Sequence, residues 1–358
     1  MKSPTPFYLP ALGEPDSAPG KLPVADWRQG MIVRSTNWLG DAVMTLPAVW
    51  KMRQLMPPGK RLAVVCPGKL KGLWQAIPWV DEVISFSGRR IDKDVSAQIR
   101  AFDAGVAVVL PNSFGSALDL AFKGIPLRIG RGGRFRSLLL SHRLPAWKRV
   151  PGQDRFHQLR EYLQIARFCG SAEWDDTMPP AKPQVDFAKL AGLGCDLSQG
   201  SWLAVAPGAA FGPAKQWPLD LSGEVCRRWM AAGRKVVIVG APGEEAAGAK
   251  LAEAAPGALN LVGRTSVGEL MAILGGALAC LVNDSGAMHL AAAVGGRGVA
   301  VFGSTDPTAT GPLGGRFVVL WHRPECSPCL QRDCPLTEDR FKCLRGTTPD
   351  QVWEALPQ

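Results

Sequence analysis

Met31-Ile32-Val33-Arg34-Ser35-Thr36-Asn37-Trp38-Leu39-Gly40-Asp41 joins a short apolar run to a glycine-bearing turn and then to a helical pattern. That strand-turn-helix unit sets the reading of the whole chain. Moving outward, short β-branched runs recur at Leu62–Cys66, Glu82–Phe86, Val106–Leu110 and Leu127–Ile129, each followed by a helix-like stretch. Strands alternating with helices predict βαβ units and a parallel sheet. The segment Cys169–Gly200, with Pro179, Pro180 and Pro183, breaks the rhythm. The alternation restarts at Trp202–Ala206, Lys235–Gly240, Leu278–Asn283, Gly298–Phe302 and Arg316–Trp321. A chain of 358 residues exceeds one comfortable core. The expected architecture is α/β, with two Rossmann-like domains facing a cleft, at residues 30–185 and 186–358. Residues 1–29, rich in proline, are expected to form a disordered or loosely attached leader. No sequence repeat links the halves.

Composition narrows the function classes. The longest apolar run, Leu270 to Val282, is 13 residues, whereas a spanning helix needs about 20. Lys2 is followed by Pro4, Pro6 and Pro10 rather than by an apolar signal core. A cytoplasmic protein is expected. The net charge of +10 is concentrated: Lys123–Arg160 holds ten Lys or Arg residues and one acid, Asp154. Such a segment is either a solvated basic surface or a site for an anionic partner.

Ligands of parallel α/β sheets bind beyond the carboxyl ends of the strands, so the post-strand loops carry the candidates. In Ser35–Asp41, Gly40 permits close backbone approach. Asp41 there is either a helix-capping acid or a reactive carboxylate. Pro47 implies that this helix is kinked or begins only near Thr45. The loop Pro207-Gly208-Ala209-Ala210-Phe211-Gly212-Pro213-Ala214-Lys215-Gln216-Trp217-Pro218 reads as a phosphate cradle with one ammonium, or as an ordinary loop with a surface lysine. It lacks the Gly-Lys-Ser/Thr ending of a Walker loop. Asn283-Asp284-Ser285-Gly286-Ala287-Met288-His289 opens a helix that Asp284 or Ser285 can cap, with an anion site near Gly286. His289 reads more readily as structural than as catalytic.

Cys326, Cys329, Cys334 and Cys343 fall within 18 residues. They suggest either a structural zinc site or reduced thiols. Asp92-Lys93-Asp94 mimics a metal-binding Asp-x-Asp but is better read as a helix start.

The order of these motifs resembles that of the ADP-heptose:lipopolysaccharide heptosyltransferases (glycosyltransferase family 9), most closely the heptosyltransferase II branch. The likeness lies in Trp38-Leu39-Gly40-Asp41-x-Val43-Met44, Pro207-Gly208-Ala209-x-Phe211-Gly212-Pro213-Ala214-Lys215-x-Trp217-Pro218, Asn283-Asp284-Ser285-Gly286-x-Met288-His289 and Cys326-Ser327-Pro328-Cys329-x4-Cys334-Pro335. Ala210 stands where the heptosyltransferase II branch usually has Glu. The resemblance implies a GT-B fold and an inverting transfer that needs no catalytic metal or other cofactor. It implies ADP-heptose as donor, bound by Gly208, Phe211, Gly212, Lys215, Glu244, Asp284, Ser285, Gly286 and His289. It implies Asp41 as general base, with Lys215 holding the leaving pyrophosphate. The acceptor implied is the anionic lipopolysaccharide core, met by Asn37, Trp38 and Gly40 at the inner face of the cytoplasmic membrane. Arg128, Arg131, Arg134 and Arg136 of the basic segment lie in the same domain and suit such an acceptor, because a guanidinium binds carboxylate or phosphate bidentately.

Two other readings remain at this level. A sugar-nucleotide epimerase would share the architecture without needing the basic segment. A nucleic-acid-binding module would use that segment, but only Phe135, Trp147 and Phe156 are interleaved there, so no nucleic-acid partner is expected.

Overall fold

Most of the strands are built around apolar runs rather than alternations, and a strand so built must be covered on both faces. The computed structural model, which describes residues 12–23, 26–146, 156–197 and 201–357, has this arrangement in two compact units, Leu12–Lys182 and Pro183 onward.

In the first unit the strands are β1 (Gly30–Arg34), β2 (Arg61–Pro67), β3 (Glu82–Phe86), β4 (Val106–Val109), β5 (Leu127–Arg131) and β6 (His142–Leu144). They form one sheet in the order β3-β2-β1-β4-β5-β6, with every pair parallel. Its core is built from Ile32, Val65, Val109 and the helix side chains Ile99 and Phe102. The second unit repeats the plan with β7 (Trp202–Ala206), β8 (Lys235–Ile238), β9 (Leu259–Asn260), β10 (Ala279–Asn283), β11 (Arg297–Phe302) and β12 (Arg316–Trp321). The order there is β12-β11-β10-β7-β8-β9, again all parallel. Leu203, Val205, Trp229 and Val301 lie at the centre of its core. The topology is repeated although the sequence is not.

In both sheets the chain reverses its direction of growth beside the first strand. The switch points therefore fall at the carboxyl ends of β1 and β4, and of β7 and β10. Ligands of doubly wound sheets bind at such points. Three of the motif loops begin there: Ser35 after β1, Pro207 after β7 and Asp284 after β10.

Three local expectations are settled. The helix after β1 runs Leu39–Gln54 with Pro47 inside it, so a start near Thr45 is excluded. Asp92 is an N-cap whose carboxylate accepts from the Val95 N–H at 2.8 Å, as its setting implied. The leader is not loose over its described part. Arg160 and Gln164 hold Asp16, Arg167 accepts the Gly20 N–H at 2.8 Å, and the Trp174 indole donates to the Gly13 carbonyl at 2.7 Å. The reason is a polar ridge on helix Leu159–Cys169 that satisfies the extended backbone lying along it. The leader's residues 1–11, 24 and 25 lie outside the described residues.

Gly30, the first residue of β1, and Gly298, the second of β11, have φ of 147° and 153°, and a Cβ at either would stand 1.9 Å from a neighbouring carbonyl oxygen. Gly298→Ala is expected to cost more than ~2 kcal/mol and to lower the melting temperature of the second unit by about 4–8 °C. Calorimetric melting of the whole protein checks this.

Candidate active site

In the second unit the two motif loops are stapled together by one amide. Asn283, the last residue of β10, accepts the Trp217 N–H at Oδ1 (3.0 Å) and donates from Nδ2 to the Pro207 carbonyl (2.8 Å). The cradle loop is thereby held against the β10 turn. Lys215 Nζ then lies 2.6 Å from Asp284 Oδ2, with both side chains largely buried. Thr305 Oγ1 donates to the same carboxylate oxygen at 2.5 Å. Lys215 also stands over the Phe211 ring, 4.9 Å from its centroid.

Glycine is required at two points of this loop. A Cβ on Gly208 would lie 2.3 Å from the Glu244 carboxyl carbon, so the missing side chain is what admits Glu244 beneath the loop. Gly212 has φ 145°, and a Cβ there would strike the Arg332 carbonyl at 2.4 Å. That carbonyl accepts the Ala214 N–H, and Arg332 Nε donates to the Phe211 carbonyl. Glu244 Oε2 accepts the Ala241 N–H at 2.9 Å. Burial pushes its carboxyl above the ordinary value, that hydrogen bond opposes the rise, and Glu245 adds to it.

Ser285 occupies the N-cap of helix Gly286–Ala293 but makes no side-chain cap bond. Its Oγ is buried without a partner among the described residues, while Asp284 is engaged by Lys215 and Thr305. Neither side chain caps the helix as expected. The helix N-terminus with Gly286 and the Ser285 hydroxyl is left as a set of donors for an anion. His289 is buried on the same helix.

In the first unit Asp41 lies in the first turn of helix Leu39–Gln54, whose N-cap is Trp38, where the helix dipole favours a carboxylate. It is half-buried, and Gln158 Nε2 donates to its Oδ1 at 3.4 Å and to Tyr162 Oη at 2.8 Å. Burial raises the Tyr162 hydroxyl well above its ordinary pKa, and the Asp41 charge adds to the rise. Trp38 is 57% exposed and lies under Lys69, whose ammonium is 4.1 Å from its ring centroid. Asn37 is oriented by Arg34, which is itself buried against Asp119 at 2.8 Å. Gly40 is half-buried in the same first turn.

The basic segment resolves unequally. Arg128 donates to the carbonyls of Ile125 and Leu139. Arg131 is buried and donates to the Glu161 carbonyl and to Gln164. Both therefore tie the protein's own loops together, which a net charge does not reveal. Arg136 retains open donors. The Arg134 side chain and residues 147–155 lie outside the described residues.

Cys326, Cys329, Cys334 and Cys343 converge on one small cavity with Ser304 and Ala214. Burial, then the other three sulfurs, push the Cys343 thiol up to about 11. Among the described residues no three His, Cys, Asp or Glu groups stand in an arrangement that could hold a metal ion. The spacing brings the four cysteines together, as either reading of the cluster requires.

The family profile described as glycosyltransferase family 9 (heptosyltransferase) matches residues 94–339. The chain belongs to this family. It is a glycosyltransferase, and its paired Rossmann-like units are those of the GT-B class. Lipopolysaccharide heptosyltransferase 2 of Salmonella typhimurium is 30% identical over 311 residues, covering 81% of this chain and 87% of the relative. That of Escherichia coli is 29% identical over 352 residues, covering 91% and 97%. The solved structure of E. coli ADP-heptose LPS heptosyltransferase II superposes with a TM-score of 0.73 at 26% identity, covering 91% of this chain and 96% of that one. Reading the transferase from sequence alone omitted Asn283 as a staple, and Thr305, Gln158 and Tyr162 altogether. The loop Gly303-Ser304-Thr305-Asp306-Pro307 after β11 was the available signal for Thr305, since it too leaves a strand at its carboxyl end.

Glu244 supplies a pH prediction. A carboxyl raised on folding lowers stability as pH climbs from the ordinary Glu value near 4.5 through its folded value. Glu244→Gln is expected to match wild type below pH 4.5 and to exceed it in melting temperature at pH 7. Melting curves across that range are the check.

Proposed function

We propose that this glycosyltransferase moves a heptose from ADP-heptose to the inner core of lipopolysaccharide, with inversion at the anomeric carbon. The observation that carries the reading is the Lys215–Asp284 pair, held at the β7/β10 switch point of a chain 29% identical over 352 residues to a relative named lipopolysaccharide heptosyltransferase 2. Glu244 and the glycines of the cradle loop suit the nucleotide, and Lys215, Gly286 and Ser285 suit the pyrophosphate. Asp284, His289 and Phe211 border the sugar.

The chemistry follows from the residues. Asp41 takes the proton of the acceptor hydroxyl as its oxygen attacks the anomeric carbon, and the bond to the ADP oxygen breaks on the opposite face. Negative charge then grows on the leaving diphosphate. The Lys215 ammonium and the N-terminus of helix Gly286–Ala293 neutralise it, which is the largest kind of catalytic contribution open to fixed protein charges. No step requires a metal. Before donor binds, Asp284 holds the Lys215 ammonium in place, so little reorganisation accompanies the reaction.

In this reading Asn37, Trp38 and Gly40 line the acceptor side. The unit carrying them meets the membrane that holds the acceptor. Phe122, Phe135 and Leu138 are strongly exposed there, and the sole acid between Phe114 and Ala146 is Asp119, buried against Arg34. Apolar side chains in a segment of net positive charge suit an anionic bilayer surface. No helix among the described residues is long and apolar enough to cross a membrane.

Release of ADP from ADP-heptose, measured with and without acceptor, tests the reading. Release is expected only with acceptor, and absence of transfer with every inner-core acceptor would overturn it. Asp41→Asn should lower turnover about 10²–10⁴-fold with ADP affinity unchanged. A variant within threefold of wild type removes Asp41 from the mechanism. Lys215→Ala should weaken donor binding and turnover together, and unchanged constants would exclude the cradle assignment.

A further inference from the structure

Asp284 Oδ2 accepts from two side chains at once, the Lys215 ammonium at 2.6 Å and the Thr305 hydroxyl at 2.5 Å. The two donors differ in how firmly they are held. Lys215 has a flexible four-carbon stem, and Asp284 is its one carboxylate partner among the described residues. Thr305 is buried in the loop that leaves β11, the strand hydrogen-bonded to β10. A β-branched side chain is stiff at its first torsion, and the backbone around this one is gripped from several directions. The Ser304 N–H donates to the Ala214 carbonyl at 3.3 Å, and the Ser304 carbonyl accepts the Leu330 N–H at 2.8 Å. On the other side Asp306 caps the short helix Pro307–Thr310, accepting the Thr308 N–H at 2.9 Å. A Cβ on Gly303 would meet the Leu344 side chain at 2.6 Å and the Ala214 carbonyl at 3.1 Å, so this glycine lets the loop lie against the cradle.

A hydroxyl fixed in this way supplies what the ammonium does not. The Asp284 N–H donates to the Val301 carbonyl at 3.3 Å, which holds the backbone but leaves two side-chain torsions. A carboxylate bound only to a lysine can drift with it, the two moving as a pair. A diphosphate arriving beside Lys215 pulls on the ammonium and, through it, on Asp284. The Thr305 hydroxyl ties the shared oxygen to a rigid loop and resists that pull.

We infer that Thr305 is a positioning residue for the diphosphate leaving group. Its hydroxyl anchors Asp284, and Asp284 so anchored sets the point at which Lys215 presents its charge. The inference rests on the reading of Lys215 as the diphosphate ligand and goes beyond it by naming what fixes the lysine. In this role Thr305 acts only through Asp284.

The test is a double-mutant cycle on ADP affinity, read by calorimetric titration of wild type, Thr305→Val, Lys215→Ala and the double variant. ADP carries the diphosphate without the sugar, so contacts of Asp284 with the sugar do not enter. Thr305→Val keeps the shape of the side chain and removes the hydroxyl. It is expected to weaken ADP binding about tenfold, the worth of one hydrogen bond to a charged group. In the Lys215→Ala background the same substitution should change ADP affinity less than about twofold, because no ammonium is left to position. Thr305→Ser, which restores the hydroxyl, should recover most of the affinity. If Thr305 only packed its loop, the two losses would add in the double variant and Ser would not rescue, and either result overturns the inference. So does ADP affinity of Thr305→Val within twofold of wild type. Should Thr305→Val not fold, Thr305→Ala takes its place in the cycle with the same expectations. If Lys215→Ala binds ADP as well as wild type does, the reading of Lys215 fails and the inference falls with it. Weakened binding by Lys215→Ala beside unchanged binding by Thr305→Val leaves that reading standing and removes Thr305 alone.

Discussion

A parallel sheet that grows first to one side of its opening strand and then to the other leaves two adjacent strand ends whose loops part in opposite directions. That geometry stands at β1/β4 and again at β7/β10, and the candidate chemistry depends on it. Asp41 follows the first strand of one sheet, while the cradle loop and the Asp284 turn follow neighbouring strands of the other. Within the second unit the staple from Asn283 works because β7 and β10 are hydrogen-bonded neighbours. One short amide therefore spans from the end of one strand to the loop of the next. A strand order that separated them would leave the Trp217 N–H and the Pro207 carbonyl without this common partner.

Charge buried at strand ends is the second recurring feature. Lys215–Asp284 and Arg34–Asp119 are both shielded pairs, and such pairs contribute little net stability once desolvation is counted. Their value is in fixed direction. Asp284 holds an ammonium at one point in space, and Arg34 donates to Asn37 within the loop after β1. Side chains so constrained need not reorganise when a ligand arrives, which matters more for catalysis than for folding.

Much of the fold was legible because covered parallel strands are built around apolar runs, and ten of the twelve strands among the described residues carry that signature. β6 reads His142-Arg143-Leu144 and β9 is only Leu259–Asn260. Neither offers a run, since an edge strand can be short and polar when one neighbour suffices to pair it. The post-strand motifs were legible for the same reason the strands were. Their partners were not. Gln158 reaches Asp41 across 117 residues of sequence, and Thr305 lies 21 residues from Asp284. The partners within the basic segment were hidden in a different way. Arg128 and Arg131 count as charges in a composition, yet in space they are cross-braces on backbone carbonyls. The leader misled likewise, because its proline content hid the polar ridge that receives it.

The cysteine-bearing tail bears on more than its own cavity. Arg332 lies between Cys329 and Cys334, and its backbone carbonyl and side chain both grip the loop that carries Lys215. The loop after β7 and the segment after β12 thus behave as one mechanical part made from two distant stretches of chain. Exchanging either stretch alone between relatives would pair a cradle with a foreign brace. A chimera that is to keep its lysine in register must carry residues 207–218 and 326–345 together.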